Sequence, residues 1–208
     1  MLSVQTILPD TLELLKTLMR LPAFSQTRLV GGTALALQYG HRCSVDLDFF
    51  GHATEDVDEL TAILSDSVES VIRGKCTQRI KAYMLNDVKV DIVNYDYPWI
   101  DAAVIEDGIV LASPKDIAAM KVNAVIGRGT KKDFVDIYYL LKHFSFDEIM
   151  SLYLEKYSDG SEYRALLSMT YFDDADQQPM PLMFDEVSWE TMKDTINAAV
   201  EDYNKNLL

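Results

Sequence analysis

Two neighbouring stretches decide how this chain reads: Leu29-Val30-Gly31-Gly32-Thr33-Ala34-Leu35 and then Arg42-Cys43-Ser44-Val45-Asp46-Leu47-Asp48-Phe49-Phe50. Successive side chains of a strand point to opposite faces. The spacing therefore puts Asp46 and Asp48 on one face and Val45, Leu47 and Phe49 on the other. Two carboxylates held side by side repel each other and lose hydration unless a cation sits between them. A hard divalent ion with oxygen ligands, Mg²⁺ first among them, suits such a pair.

The glycines say what such an ion would be for. Gly31 and Gly32 end a short apolar strand at 28–30 and lead into a helix over 33–39. A glycine turn at a helix start exposes backbone N–H groups to an anion and lets a phosphate approach the main chain closely. Phosphate donors beside a carboxylate pair point to phosphoryl or nucleotidyl transfer. Neither GxxxxGK[ST] nor GxGxxG is present, so this is not a Walker or Rossmann loop. A tight turn followed by a strand with merely exposed aspartates is the plainer reading. The apolar surroundings of Asp-Leu-Asp-Phe-Phe weigh against it.

A two-ion site calls for a third carboxylate on an adjacent strand. Asp91 in Val88-Lys89-Val90-Asp91-Ile92-Val93 is the candidate, since Val90 and Ile92 take the opposite face. An aspartate inside an apolar strand is disfavoured unless something compensates it, a metal or a salt bridge. Lys121 is a lone lysine on the apolar helix 117–126, where it either snorkels or reaches an anion. Lys132, Asp133 and Asp136 open the next helix, where acids also complement the dipole. Arg42 and Ser44 flank the acid pair, and a structural salt bridge competes with phosphate binding as the reading of Arg42. His41, Cys43 and His52 invite a zinc reading, but their spacing matches no standard finger and one strand does not aim all three at one ion.

The bulk properties set limits. The chain has 208 residues, 49% hydrophobic and 25% charged, enough for one core or two small lobes. No apolar run approaches the ~18 residues a membrane span needs, and the first residues lack a basic and apolar leader pattern. Cys43 and Cys76 are too few for a disulfide framework, so a cytoplasmic location is expected. A net charge of −14 disfavours general nucleic-acid binding. Residues 113–143 nevertheless form a basic island (+3) between acidic segments of −7 and −10. That suits a triphosphate or a short stretch of RNA, or else a mixed solvated helix face.

Along the chain, an apolar stripe predicts a helix over 11–20, then the strand 28–30, the helix 33–39 and the strand 44–50. A helix over 56–70 follows, then strands at 76–85 and 88–95 joined by an Asn86-Asp87 turn, and a short strand near 109–112. Ser113-Pro114 starts a helix through 126, which Gly127-Arg128-Gly129 breaks. Helices follow over 131–142, 146–157, 161–172 and 188–205, with 173–187 as a loop. Sheet first and helices after suggests an α/β lobe with a helical half packed on it.

Gly-Gly-Thr-Ala-Leu (31–35) followed by Arg-x-Ser-x-Asp-Leu-Asp-Phe (42–49) resembles the AbiEii/AbiGii-type nucleotidyltransferase family. These are minimal polymerase-β-like nucleotidyltransferases, several of them toxins of type IV toxin–antitoxin and abortive-infection systems. Lys121, Arg128 and Lys132-Asp133-Phe134-Val135-Asp136 match the family's later pattern, and 166–175 resembles its C-terminal part, so the likeness spans roughly 25 to 195. It implies an α+β polymerase-β-like fold: a small mixed sheet flanked by helices, with a catalytic lobe over 1–112 and a helical lobe over 113–208.

By resemblance, Asp46, Asp48 and Asp91 hold two Mg²⁺ ions. Gly31, Gly32, Thr33, Arg42, Ser44, Lys121 and Asp133 serve a nucleoside triphosphate, with Asp133 and Asp136 alternatively orienting Lys121 or Arg128. The acceptor it implies is tRNA or other RNA, or a protein hydroxyl, and a separately encoded antitoxin restrains the activity. Kinase-like phosphoryl transfer and a non-catalytic nucleotide-binding partner are the alternatives. One departure stands out: many members of the superfamily have Gly-Ser at the turn, where this chain has Gly-Gly, leaving Thr33 as the nearby hydroxyl.

Overall fold

The computed structural model describes residues 1–54 and 56–206. Two compact units account for the chain: Met1–Asp96 with Ala102–Ala112, and Tyr97–Asp101 with Ser113–Leu208.

The first unit is built on a mixed seven-stranded sheet in the order β3-β4-β5-β2-β1-β7-β6. Its strands are β1 (Gln26–Val30), β2 (Leu47–His52), β3 (Val71–Cys76), β4 (Ile80–Leu85), β5 (Val88–Asn94), β6 (Val104–Glu106) and β7 (Ile109–Leu111). Among the described residues three α-helices accompany it: α1 (Pro9–Met19), α2 (Gly31–Tyr39) and α3 (Val57–Ser65). β2 lies antiparallel to β1 and parallel to β5, and β7 runs parallel to β1. The core draws on Leu15 and Leu18 of α1, Leu35 and Leu37 of α2, and Leu47, Phe49, Val90 and Ile92 of the sheet, all fully buried. Phe24 and Phe49 meet edge to face at 4.9 Å, a favoured aromatic geometry.

Local chemistry explains most boundaries. The Asp56 carboxylate caps α3 by accepting the Asp58 and Glu59 N–H groups. Asn86 and Asp87 both take positive φ (48° and 63°), as a two-residue hairpin with the right twist demands. The helix expected over 56–70 stops at Ser65, where the Ser67 and Val68 N–H groups both donate to the Leu64 carbonyl and close the end. Val71 to Cys76 then pairs with β4 as an extra edge strand. The strand expected over 76–85 is therefore split: Thr77 closes a turn on Ile80 through paired backbone and side-chain bonds. β6, which the sequence did not suggest, forms a hairpin with β7 through Asp107 and Gly108, both at positive φ.

The second unit is helical: α4 (Pro114–Gly127), α5 (Lys131–Leu141), α6 (Phe146–Lys156), α7 (Glu162–Met169), the single turn α8 (Asp173–Asp176) and α9 (Trp189–Asn206). α4 packs against α5, α6 and α7, and α9 covers α5, α6 and α7. Ser113 caps α4 with Pro114 in its first turn, and capping boxes open α5 (Thr130, Asp133) and α6 (Ser145, Glu148). The α8 turn lies inside the stretch expected to be pure loop. Tyr97–Asp101 belongs with these helices because the Ile100 and Asp101 N–H groups donate to the Asp116 carboxylate and the Pro98 carbonyl accepts from Lys156.

Candidate active site

In the first unit the sheet register assembles the site. Val30, the last residue of β1, pairs with Asp48 on β2, and Asp48 pairs in turn with Asp91 on β5. Side chains directly opposite in neighbouring strands share a face. The two carboxylates therefore stand side by side on one face, half-buried, while Leu47, Phe49, Val90 and Ile92 fill the core on the other. Since β1 ends at Val30, the glycine turn falls directly over Asp48.

Gly31 shows how tight that approach is. It sits at φ +69°, and a Cβ there would lie 2.7 Å from Oδ2 of Asp48. Only glycine takes that backbone conformation freely and leaves the carboxylate its place. Val30, the residue before α2, offers no capping side chain, so no N-cap side chain covers the N–H groups of the first turn. Gly31→Ala is expected to cost about 1–2 kcal/mol of stability through the left-handed backbone. The larger effect falls on activity, because the atom displaced is an oxygen of Asp48. Paired melting curves and transfer rates for the variant and parent check this.

Asp46 is placed differently from expectation. β2 begins at Leu47, so Asp46 precedes the strand, and Val45 is exposed rather than sharing the buried face. The reason is pairing: β1 turns into α2 after Val30 and offers residues 43–46 no ladder. Other bonds hold that segment. The Thr33 hydroxyl donates to the Asp46 carbonyl and lies 2.7 Å from the Ser44 hydroxyl, while the Ser44 N–H donates to the Thr6 carbonyl at 2.8 Å. Thr33 is almost fully buried, so its hydroxyl fixes the Asp46 loop from within. Arg42 is also buried, and its guanidinium donates to the Cys43 carbonyl at 3.0 Å.

Lys89 is a feature the sequence reading passed over. It lies two residues before Asp91, hence on the same face, and its ammonium is 2.6 Å from Oδ2 of Asp91. That hydrogen bond is the main reason the Lys89 pKa is raised above the ordinary lysine value. The charges of Asp91, Asp48 and Asp46 add to it. This donor set, all carboxylate oxygen, suits a hard divalent ion. Among the described residues, no three or more His, Cys, Asp or Glu side chains, as they stand, form a group that could hold a metal ion.

The second unit holds Lys121, Asp133 and Asp136 away from solvent, whereas Arg128 and Lys132 are exposed. The Lys121 ammonium lies between Asp133 (3.0 Å) and Asp136 (2.6 Å), with all three side chains nearly inaccessible. Asp133 also accepts from Nε and Nη2 of Arg128, both at 2.9 Å, and from the Thr130 hydroxyl at 2.6 Å. Burial alone would raise the Asp133 pKa, but the Arg128 hydrogen bonds and the Lys121 charge outweigh it and hold the carboxyl well below the usual range. The basic island is accordingly not one open cationic face. Lys121 and Lys131 are buried, and Lys131 donates to the Asp176 carbonyl over the Trp189 ring. A second ion pair, Asp116 with Lys156, was also missed, although Asp116 stands at the third helical position after the Ser113 cap.

The family profile described as nucleotidyl transferase AbiEii toxin, type IV toxin–antitoxin system, matches residues 13–206. A protein of Aquifex aeolicus (strain VF5), aq_aa25, is 30% identical over 187 residues, covering 86% of this chain and 88% of that protein. Among solved structures, JHP933 from Helicobacter pylori superposes with a TM-score of 0.61 at 19% identity, over 99% of this chain and 93% of that one. MenT4, a nucleotidyltransferase toxin from Mycobacterium tuberculosis, gives 0.64 at 14% identity, over 92% and 81%. At these identities the two structures speak to the fold.

Proposed function

Because the chain belongs to the AbiEii nucleotidyltransferase toxin family, we propose that its glycine–carboxylate site transfers a nucleotide from a Mg²⁺-bound nucleoside triphosphate to an acceptor hydroxyl. The observation that carries this reading is the closeness of the Gly31 turn to Asp48, with Asp91 next to Asp48 across the β2–β5 pair. Phosphate donors and metal-binding carboxylates are useful together only if they touch the same ligand.

Asp46, Asp48 and Asp91 would hold the divalent ions. When bound, these supply charge neutralisation at the phosphates and a lowered pKa at the attacking hydroxyl. The chain's own groups do the rest. The backbone at Gly31 and Gly32 receives the triphosphate, where the helix start favours negative charge. Thr33 and Ser44 fix the loop that carries Asp46, and Arg42 buttresses its approach. In the helical unit, Asp133 and Asp136 hold the Lys121 ammonium in place. The acceptor oxygen attacks the α-phosphorus, the bond to the bridging β-phosphate oxygen breaks, and pyrophosphate leaves with that electron pair. The hydroxyl proton passes to a carboxylate of the set.

We assign the acceptor to RNA, tRNA ends first, with a protein hydroxyl as the other class. The activity is growth-inhibitory, exerted in the cytoplasm and restrained by a separately encoded antitoxin. No described helix is long and apolar enough to cross a membrane.

Each of the four NTPs, labelled in turn at the α- and the γ-phosphate, is incubated with protein, Mg²⁺, total RNA and lysate protein. Label from the α-position is expected in RNA. Label transferred only from the γ-position would replace nucleotidyl by phosphoryl transfer. Binding of NTP without any transfer would leave a nucleotide-binding partner.

A further inference from the structure

We propose that Lys89 is a tethered cation that occupies Asp91 in the metal-free enzyme and yields it when a divalent ion binds, and so sets the enzyme's affinity for metal. This rests on the assignment of Asp46, Asp48 and Asp91 as metal ligands.

Four observations support it. Lys89 and Asp91 are two residues apart on one strand, so the backbone directs both to the same face. The ammonium reaches Oδ2 of Asp91 at 2.6 Å, the closeness of a charge-assisted hydrogen bond. The two partners differ in exposure: the Lys89 side chain is 52% exposed and that of Asp91 23%. The lysine therefore arrives from the solvent side on a flexible four-carbon stem and can leave the same way, whereas the acid is fixed by its place in the sheet. Finally, the β4 residues in register with Lys89 and Asp91 are Met84 and Ala82, which carry no charge, so that strand offers neither partner a competing ion pair there.

The consequence is a competition. Carboxylates on adjacent strands repel each other without a counter-ion, and a mobile ammonium relieves this cheaply. A divalent ion brings twice the charge and takes several oxygen ligands at once. It therefore displaces the ammonium but must overcome that pairing, and a partly exposed ion pair is weak enough to be displaced at modest metal concentrations. Lys89 is thus a positioning residue, acting on the metal site through Asp91.

The test is Mn²⁺ binding by the full chain, followed through the free-ion electron paramagnetic resonance signal without nucleotide, beside thermal melts with and without Mn²⁺. Lys89→Met is expected to bind Mn²⁺ three- to tenfold more tightly than the parent, to melt lower without metal, and to gain more from metal addition. Lys89→Arg, which keeps the charge, is expected to stay within about twofold of the parent. Lys89→Gln takes the place of the methionine variant if that one does not fold. Unchanged or weaker Mn²⁺ binding in the neutral variants would overturn the proposal. Asp48→Asn separates it from the reading beneath. If the parent binds Mn²⁺ and Asp48→Asn loses it, the metal site stands whatever Lys89 does. If the parent binds none, or Asp48→Asn binds equally well, both fall together.

Discussion

Asp48→Asn is expected to reduce nucleotide transfer by at least about 10³-fold, or ~4 kcal/mol of transition-state stabilisation, with the fold intact. Asp48 is the residue on which every element of the site converges. It pairs with Val30 on one side and Asp91 on the other, and its Oδ2 fills the space where a side chain on Gly31 would stand. The amide keeps shape and hydrogen-bonding reach but removes one negative charge from a site proposed to hold cations against phosphates. Removing a charge from a group of like charges does not destabilise the sheet, so the melting temperature is expected to hold or rise. Transfer of α-labelled nucleotide and a circular-dichroism melt, run on the same preparations, read the two effects separately. Retention of more than a tenth of the parent's activity would remove Asp48 from the mechanism.

Asp116→Ala is expected to cost about 3–5 kcal/mol of folding stability, the scale for breaking a buried ion pair on one side. Both side chains of the Asp116–Lys156 pair are fully buried, 2.7 Å apart. The Asp116 carboxylate also accepts from the Ile100 and Asp101 N–H groups and the Ser113 hydroxyl. Lys156 donates to the Pro98 carbonyl and lies over the Trp99 ring at 4.7 Å. Alanine leaves an ammonium in the core without its counter-charge and cuts the tie between Tyr97–Asp101 and the helices. Against a typical total of 5–15 kcal/mol, that is a large share. The double variant Asp116→Ala with Lys156→Met should recover part of the loss, since the stranded charge is gone. Urea unfolding of the two singles and the double measures the coupling. A single-variant cost below 1 kcal/mol would show that the pair does not hold this region.

Much of this protein was legible before any coordinates. The Gly-Gly turn and the Asp-x-Asp run stand close in sequence, and the features that mark them are local: a backbone freed of Cβ, acids in an apolar run, and a helix start. Ser113-Pro114 and the Asn86-Asp87 turn are equally local, and each appears where its own backbone preferences put it. The order of such segments suggested an α/β lobe with a helical half, and the family resemblance implied the α+β class. β3 and β6 were not legible, because both are edge strands with no buried alternating face: four of the six β3 residues are exposed, and β6 spans only three residues.

The sequence by itself determined which residues are proposed for the chemistry of the site: Gly31, Gly32, Asp46, Asp48 and Asp91. Only the tertiary structure decided how they are placed. Alternation along one strand fixes a face but not a partner, so the pairing of Asp48 with Asp91 and the strand start at Leu47, which leaves Asp46 on its loop, come from the register of three strands distant in sequence. The same holds for the lysines. Lys121 and Lys89 look alike as isolated cations in apolar segments, yet one is enclosed by Asp133 and Asp136 and the other reaches Asp91 from solvent. A charge's function depends on what lies within a few ångströms of it and on how much water remains, and folding sets both.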